Sequence, residues 1–238
     1  MATAGRPKSP PIWHPMHPTA KLKLDRFVTS GALADYARLR NFDLGHHGNV
    51  STLSPYIRHR VMTEEAVLRE ALSNAPYSRI EKFVQEVFWR TYWKGWLQMR
   101  PSVWADYRQE TSNQDFKNKG YLFAIEGKTG IDCFDFWVQE LIKTGYLHNH
   151  ARMWFASIWI FTLKLPWVLG ADFFYRHLLD GDAASNTLSW RWVAGLQTVG
   201  KTYLARPDNI EKFTNGRLSP QGLSQEAPAL QDPPNPKS

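Results

Sequence analysis

Apolar residues in the middle of this 238-residue chain repeat with the period of an α-helix, and this feature restricts the possible folds most. Between Ser78 and about Met99 they lie on one helical face. Ser78 and Glu81 also have the S-x-x-E spacing of a capping box, which predicts that a long helix begins there. The apolar face consists of Ile80, Phe83, Val84, Val87 and Phe88.

The same period continues further along the chain. A second apolar stripe ends near Gly145, which we expect to be a helix C-cap, and a third helix is expected from about Leu147 to Pro166. The second stripe consists of Phe134, Trp137, Val138, Leu141 and Ile142. Because the sequence lacks runs of alternating β-branched residues, it predicts an all-α fold without a sheet.

Composition divides the chain into three parts. Residues 1–20 are a Pro-rich extension, residues 21–217 a single helical domain, and residues 218–238 a tail whose Pro, Gln and Ser content is typical of disorder. The most apolar stretch, 153–163, is too short to cross a bilayer, so we expect no membrane partner. One cysteine, Cys133, excludes an intramolecular disulfide and favours a reducing, cytoplasmic location.

The first predicted helix carries an unusual second face, on which Glu86, Trp89, Arg90 and Trp93 lie together. It can be an ordinary Glu86–Arg90 ion pair beside two packed indoles, or a binding surface. Lys plus Arg number 29 against 22 Asp plus Glu, a net charge of +7 that favours polyanionic partners.

Several site classes are excluded by their missing residues. The stretch EGKTG has Leu122 where a phosphate-binding loop needs glycine, and no G-x-G-x-x-G motif is present. His46 and His47 lack partners at metal-ligand spacing, so we expect a solvated loop there and no metal.

Four collinear blocks carry a family resemblance: STLSPYIR (51–58), EVFWRTYW (86–93), GKTGIDCFDFWVQELIKTGYLHNHARM (127–153) and DGDAASNTLSWRW (180–192). Together they resemble the C-terminal, FAD-binding helical domain of the DNA photolyase/cryptochrome family. The family's N-terminal α/β antenna domain has no counterpart here, so the resemblance implies a short member or a lone catalytic half.

The resemblance implies FAD as the cofactor. An ion pair between Arg152 and Asp180 would lie beside the flavin, Asp182 would contact the ring edge, and Asn186 would face flavin N5, as in photolyases. The implied cofactor-binding residues are Tyr36, Ser51, Thr52, Leu53, Ser54, Phe83, Arg90, Asn149, Arg152, Asp180, Gly181, Asp182 and Asn186.

It also implies an electron path and a catalytic set. Trp190 and Trp167 match the first two members of the family's tryptophan chain, whereas the third position is Gln114. Trp104, Phe116 or Tyr121 could replace the missing tryptophan. The implied catalytic residues are Glu86, Asn186, Trp190 and Trp167.

The activity implied is repair of pyrimidine dimers in double- or single-stranded DNA by blue-light-driven electron transfer from reduced FAD. Two alternatives stay open: a cryptochrome-like photoreceptor or redox sensor with a protein partner, and a helical relic that binds without turnover. The residues implied to contact DNA are Glu86, Trp89, Arg90, Asn149, His150, Met153 and Trp192, with His150 where the family usually has arginine.

Overall fold

A computed structural model describes residues 17–232 of the chain, and in this range it contains α-helices and no β-strand, which confirms the predicted all-α class. The helices are α1 His17–Thr29, α2 Tyr36–Leu39, α3 Ser54–Arg58, α4 Glu64–Asn74, α5 Tyr77–Gln98, α6 Pro101–Ser112, α7 Lys119–Ile125, α8 Asp132–Thr144, α9 Asn149–Ser157, α10 Trp167–His177, α11 Ala183–Ala194 and α12 Pro207–Phe213. A π-helical turn, Ile158–Thr162, continues α9. None of the helices in this range is long and apolar enough to cross a membrane.

The capping box predicted at Ser78 does not form, and α5 begins two residues earlier than a cap at Ser78 would place it. The helix begins at Tyr77, because Pro76 lies before it with extended backbone (φ −65°, ψ 146°) and places Ser78 inside the first turn. Proline fixes φ without needing a side-chain cap, so the turn starts earlier than the S-x-x-E spacing predicts.

Both apolar stripes are narrower than predicted. Phe88 on α5 is 53% exposed and Ile142 on α8 is 49% exposed, whereas the other members of the two stripes are buried. Both residues stand eight positions after the first residue of their stripe, which places them at its edge. The predicted C-cap at Gly145 is confirmed, with a left-handed φ of 67°.

The buried apolar residues form two clusters. One cluster comes from α1, α3, α4 and α5, with Phe83 and Leu53 among its members, and the other comes mainly from α8 to α11 around Trp154, Trp159 and Trp190. Gly170 lets α10 approach α11, since a Cβ there would lie 2.3 Å from the Trp190 ring. The two clusters therefore bring two groups of helices together, and the space between them is the functional cavity described below.

The structure describes part of both predicted terminal segments. Residues 17–20 belong to α1 and not to an extension, while residues 1–16 lie outside the described range. Within the tail that the sequence predicts to be disordered, Leu218, Leu223 and Ala227 pack against the apolar core. Residues 233–238 also lie outside the described range.

The contacts of this C-terminal segment converge on α11. Leu230 N–H donates to the Ala194 carbonyl oxygen at 3.0 Å, and Asp232 accepts two hydrogen bonds from Arg191, each of 2.7 Å. The Arg191 side chain is 11% exposed and that of Asp232 is 54% exposed. The segment thus supplies a carboxylate to a largely buried guanidinium on the helix that carries Asn186 and Trp190.

We predict that Asp232→Ala lowers the free energy of unfolding by roughly 1 to 2 kcal/mol, because it leaves the buried Arg191 without its bidentate partner. Urea denaturation measures the change. Asp208→Ala is the matched control, since the Arg206–Asp208 pair is exposed at both ends (63% and 70%) and such pairs contribute little. Equal stabilities of the two variants would show that the tail contact contributes nothing.

Candidate functional site

A cavity of about 740 Å³ lies between α2, α3 and α5 on one side and α9, α10 and α11 on the other. Nearly all residues that the sequence analysis assigned to a site line it. They are Tyr36, Ser51, Thr52, Leu53, Ser54, Phe83, Glu86, Trp89, Arg90, Asn149, Arg152, Met153, Asp180, Gly181, Asp182, Asn186, Trp190 and Trp192. The structure therefore brings together segments that lie up to 156 positions apart, from Tyr36 to Trp192.

An ion pair stands at the bottom of the cavity. Arg152 on α9 donates from Nη1 and Nη2 to the two carboxylate oxygens of Asp180, at 3.0 and 2.9 Å. Its Nε donates to the Leu147 carbonyl oxygen at 3.0 Å. The Asp180 side chain is 3% exposed and that of Arg152 is 23% exposed. Each charge is therefore held in one orientation by the other.

The electrostatic balance of this pair keeps Asp180 ionised. Burial alone would raise the pKa of Asp180, but the Arg152 charge and hydrogen bonds from Arg152 and Ser54 hold that pKa below its usual value. Burial would likewise lower the pKa of Arg152, whereas Asp180 raises it. Both groups remain charged because each compensates the desolvation of the other.

Residues 51–54 form the wall next to the ion pair. Thr52 has a φ of 50°, an uncommon conformation for a residue with a β-branched side chain. Strained backbone of this kind often occurs at binding sites. Ser54 begins α3 and hydrogen-bonds to Asp180, which ties this wall to the bottom of the cavity.

Asp182, which the resemblance implies as a contact of the flavin ring edge, also caps a helix. Its Oδ1 caps α11 by accepting hydrogen bonds from the N–H groups of Ala184 (3.1 Å) and Ser185 (3.0 Å). Its Oδ2 lies 3.6 Å from Arg58 Nε and 3.7 Å from Lys94 Nζ. The motif from 180 to 192 therefore begins with one aspartate in an ion pair and a second that starts the helix.

Asn186 and Trp190 follow on α11. Asn186 donates from Nδ2 to the Ala171 carbonyl oxygen at 2.7 Å, which leaves its Oδ1 as an acceptor for a ligand. Trp190 packs edge-to-face on Phe174 at 5.1 Å and on Trp159 at 6.2 Å between ring centroids. Ala171 and Trp159 lie outside the cavity wall and Phe174 belongs to it, so both side chains are held in place by protein neighbours.

Some of the buried polar atoms that have no hydrogen-bond partner lie in the wall of this cavity. Among the described residues that line it, Arg90 has two such atoms, Nε and Nη2, while Ser185, Trp190, His148 and Gln197 have one each. The Arg90 side chain is 14% exposed, and the nearest carboxylate oxygen, on Glu64, is 4.0 Å from its Nε. Buried donors need acceptors, so a ligand rich in oxygen and nitrogen atoms matches these walls.

His148 lines the cavity and has a strongly lowered pKa. It caps α9 by accepting a hydrogen bond from the His150 N–H at its Nδ1, which places the proton of the neutral ring on the buried Nε2. Burial lowers the pKa of His148 to about 4; the nearby Arg152 charge adds to this effect, whereas the Asp43 carboxylate opposes it. The neutral ring is therefore the form that the fold accommodates.

The mouth of the cavity is aromatic and more exposed. Trp89 is 45% exposed and stacks on Trp93 at 5.4 Å, while Met153 and Trp192 complete the opposite side. Glu86 forms a salt bridge with Arg40 of the α2 C-terminus and not the i,i+4 pair with Arg90. That expected pair is wrong because Arg40 reaches Glu86 from the neighbouring helix and leaves Arg90 directed towards the cavity.

Two histidines of the sequence analysis are buried and have partners inside the protein. His150 was expected to contact DNA, but its Nδ1 lies 2.9 Å from the Asn41 carbonyl oxygen and its Nε2 lies 3.1 Å from the Tyr203 hydroxyl. Both ring nitrogens thus have partners inside the protein. His47 was expected in a solvated loop, yet it is 4% exposed and its Nε2 lies 3.1 Å from Glu140 Oε1.

Trp167 is the other predicted residue that does not line the cavity. It is 5% exposed and lies 5.7 Å from the ring of Tyr107, which stacks on Trp104 at 5.1 Å. Among the candidates to replace Gln114, Trp104 is therefore joined to Trp167 through one aromatic ring, whereas Phe116 and Tyr121 contact each other at 5.7 Å and lead to Trp159.

Sequence reasoning missed several residues of the cavity wall. They are Arg40, Arg58, Lys94, Trp96, His148, Ser185 and Gln197, which either line the cavity or contact Asp182. Trp96 was visible as the i+7 continuation of the face with Trp89. Arg40 carried no such signal, because its partner Glu86 lies on another helix.

Comparison with known proteins identifies the kind of domain. The family model for the FAD binding domain of DNA photolyase matches residues 83–217. A deoxyribodipyrimidine photo-lyase of Streptomyces griseus is 30% identical over 224 residues, which are 87% of this chain and 48% of that protein.

Solved structures agree with this match. A bacterial class III photolyase from Agrobacterium tumefaciens superposes with a TM-score of 0.69 at 30% identity, over 86% of this chain and 44% of that one. An archaeal photolyase from Sulfolobus tokodaii, solved with two FAD molecules, gives a TM-score of 0.67 at 25% identity over 87% and 46%. The chain thus spans about half the length of these relatives.

We predict that Arg152→Ala or Asp180→Ala lowers the free energy of unfolding by about 3 to 5 kcal/mol, since each strands a buried charge. Urea denaturation measures stability and the flavin absorbance of the purified protein measures occupancy. The double variant Arg152→Met, Asp180→Leu should regain most of the stability but bind no flavin. If the double variant binds flavin at the wild-type level, the ion pair does not form the cofactor site.

Acid should destabilise the protein through His148. The unfolded imidazole takes up a proton near pH 6.5, whereas the folded one does so near pH 4, so stability is complete above pH 6.5 and declines as the pH falls towards 4. The slope is about 1.4 kcal/mol per pH unit for one proton. Urea denaturation at several pH values measures this slope.

His148→Asn is the matched variant, because an asparagine oxygen can still accept the hydrogen bond that caps α9. It should flatten the curve between pH 6.5 and 4. Burial also lowers the pKa of His150, so a smaller slope should remain. An unchanged slope in this variant would assign the acid sensitivity to other groups.

Proposed function

The chain belongs to the DNA photolyase family, and from this premise we propose that it acts as a light-driven lyase that binds FAD and splits pyrimidine dimers in DNA. The observation that carries the proposal is the form of the cavity. A buried, charged bottom that suits the cofactor opens into an exposed mouth of indoles, a carboxylate and an amide that suits a base pulled out of the DNA helix.

The residues at the bottom fit FAD. The cavity volume of about 740 Å³ lies within the usual range for sites that enclose a small molecule. The unpartnered buried donors of Arg90, Ser185, His148 and Trp190 match a ligand with phosphate, hydroxyl and ring acceptors. The backbone of residues 51–54 and the Ser54 hydroxyl lie beside the ion pair, where they can hold such groups.

Reduced FAD supplies the light-excited electron for dimer splitting when it is bound. The chain supplies position and electrostatics. The Arg152–Asp180 pair fixes one cation and one anion in the cavity without net charge, and Asn186 Oδ1 can accept a hydrogen bond from a ring N–H. Asp182 holds the start of α11, so that Asn186 and Trp190 keep their positions.

The mouth provides the groups that a flipped pyrimidine pair requires. The faces of Trp89 and Trp192 can stack on bases, and Met153 fills an irregular apolar space. Glu86, held by Arg40, accepts hydrogen bonds from base N–H groups, and Asn149 can both donate and accept. Enzymes that act on bases outside the helix read the paired edge and stack on both faces, which is the chemistry assembled here.

We predict that Trp89→Ala and Glu86→Gln each reduce light-driven repair at least about tenfold while FAD stays bound, because they alter the mouth and leave the bottom intact. A dimer-containing oligonucleotide is illuminated with blue light in the presence of a reductant, and the return of thymine absorbance measures repair. Phe88→Ala is the control, as Phe88 is an exposed aromatic residue of the same helix outside the cavity wall.

Normal repair by the Trp89→Ala and Glu86→Gln variants would show that the mouth is not the substrate site. Light-driven reduction of the flavin without splitting of any dimer by the wild type would contradict the proposal and favour a photoreceptor. A purified protein that binds no FAD would contradict both.

A further inference from the structure

The C-terminal half of α5 presents an aromatic surface that extends beyond the cavity mouth. Trp89, Tyr92, Trp93 and Trp96 stand at i, i+3, i+4 and i+7, and Arg100 at i+11 continues the row past the end of the helix. We call these five residues the aromatic strip. The guanidinium carbon of Arg100 lies 4.5 Å from the centroid of the Trp96 ring.

The rings of the strip contact one another. Trp89 stacks on Trp93 (5.4 Å, 29° between planes), and Tyr92 meets both rings edge-on at 5.2 Å. Tyr92 is 53% exposed and Trp89 is 45% exposed, so helices of the described range do not cover this face. Trp93 and Trp96 also line the cavity, which makes the strip continuous with the mouth.

The charge along this part of the chain is of one sign. From Val87 to Ala105 the sequence contains Arg90, Lys94 and Arg100 and no acidic residue. Lys94 lies 3.7 Å from Asp182, while Arg100 is exposed at the end of the strip. Aromatic faces next to exposed cations form the combination that binds single-stranded nucleic acid, since bases stack on rings and phosphates pair with cations.

We propose that the aromatic strip binds the unpaired nucleotides next to the dimer, so that single-stranded DNA is the preferred substrate. The inference rests on the proposed function, because it extends the same mouth. The distance from Trp89 to Arg100 is about 16 Å along the helix, which spans a few nucleotides. The strip is made mainly of ring faces, and in a duplex the faces of the bases are already stacked.

A second copy of this chain fits the strip less well. A two-fold contact would place the same patch against itself, so the exposed Arg100 and the partly exposed Lys94 would meet like charges, and no acidic residue between Val87 and Ala105 could compensate them. A polyanion has the complementary charge along the whole strip.

The test measures binding of an undamaged, labelled oligothymidylate of about 16 nucleotides to the full chain in the dark, by fluorescence anisotropy. The wild type should bind it more tightly than a duplex of equal length. Trp96→Ala should weaken binding about 5- to 100-fold, the loss expected for one stacked base. Trp96→Tyr should keep most of the affinity, which distinguishes lost stacking from a folding defect.

Two further variants complete the test. Arg100→Gln should lower the slope of log affinity against log salt by about 0.7, as expected for one phosphate contact to a single strand. Phe88→Ala should bind like the wild type, since Phe88 is exposed on the same helix but outside the strip.

Equal affinity for the duplex and the single strand, or unchanged binding by Trp96→Ala, would overturn the proposal. The proposal would also be overturned if the wild type sedimented as a dimer and Trp96→Ala as a monomer, while both bound DNA equally. Because the assay needs neither FAD nor light nor a dimer, its result is separate from repair. Binding of single-stranded DNA by the strip in a protein without repair would support the strip as a binding surface and refute the lyase, whereas repair without binding by the strip would support the lyase and refute the strip.

Discussion

The buried ion pair between Arg152 and Asp180 is the interaction on which the site depends. It joins α9 to the segment before α11, and the hydrogen bond from Ser54 to Asp180 adds the first turn of α3. Buried pairs of this kind contribute little net stability compared with apolar residues of equal volume. Such a pair instead fixes orientation, because a buried charge that finds its partner in only one position holds the backbone segment that carries it in place.

α11 shows how a short motif can serve several purposes at once. Asp180 completes the ion pair, Asp182 caps the helix, and Asn186 and Trp190 face the cavity from successive turns. The other side of α11 receives the C-terminal segment through Arg191 and Asp232. Polar and aromatic residues are dense between 180 and 192 because the ion pair, the helix cap and the cavity wall each require a different side chain at a particular position of this segment.

The sequence predicted local structure well and distant contacts poorly. Helical period located α5 and α8 and failed at the stripe edges, Phe88 and Ile142, where one neighbouring helix decides whether a side chain is covered. The resemblance assigned most of the cavity wall, because its motifs are contiguous. It could not show that Glu86 forms its salt bridge with Arg40 and not with Arg90. Nor could it show that residues of the segment 218–232 pack against the body. Both contacts depend on packing between segments that share no sequence pattern.

Burial changes steeply from the bottom of the cavity to its mouth, and this gradient separates two kinds of interaction. Asp180 is almost completely buried, where charges interact strongly and a wrongly placed group is costly. Trp89 is about half exposed, where stacking tolerates different bases and different approach angles. A cofactor that stays bound needs the first environment, and a polymer that must enter and leave needs the second. The α5 helix satisfies both requirements, because it directs Arg90 into the buried region and extends its indoles along the exposed side.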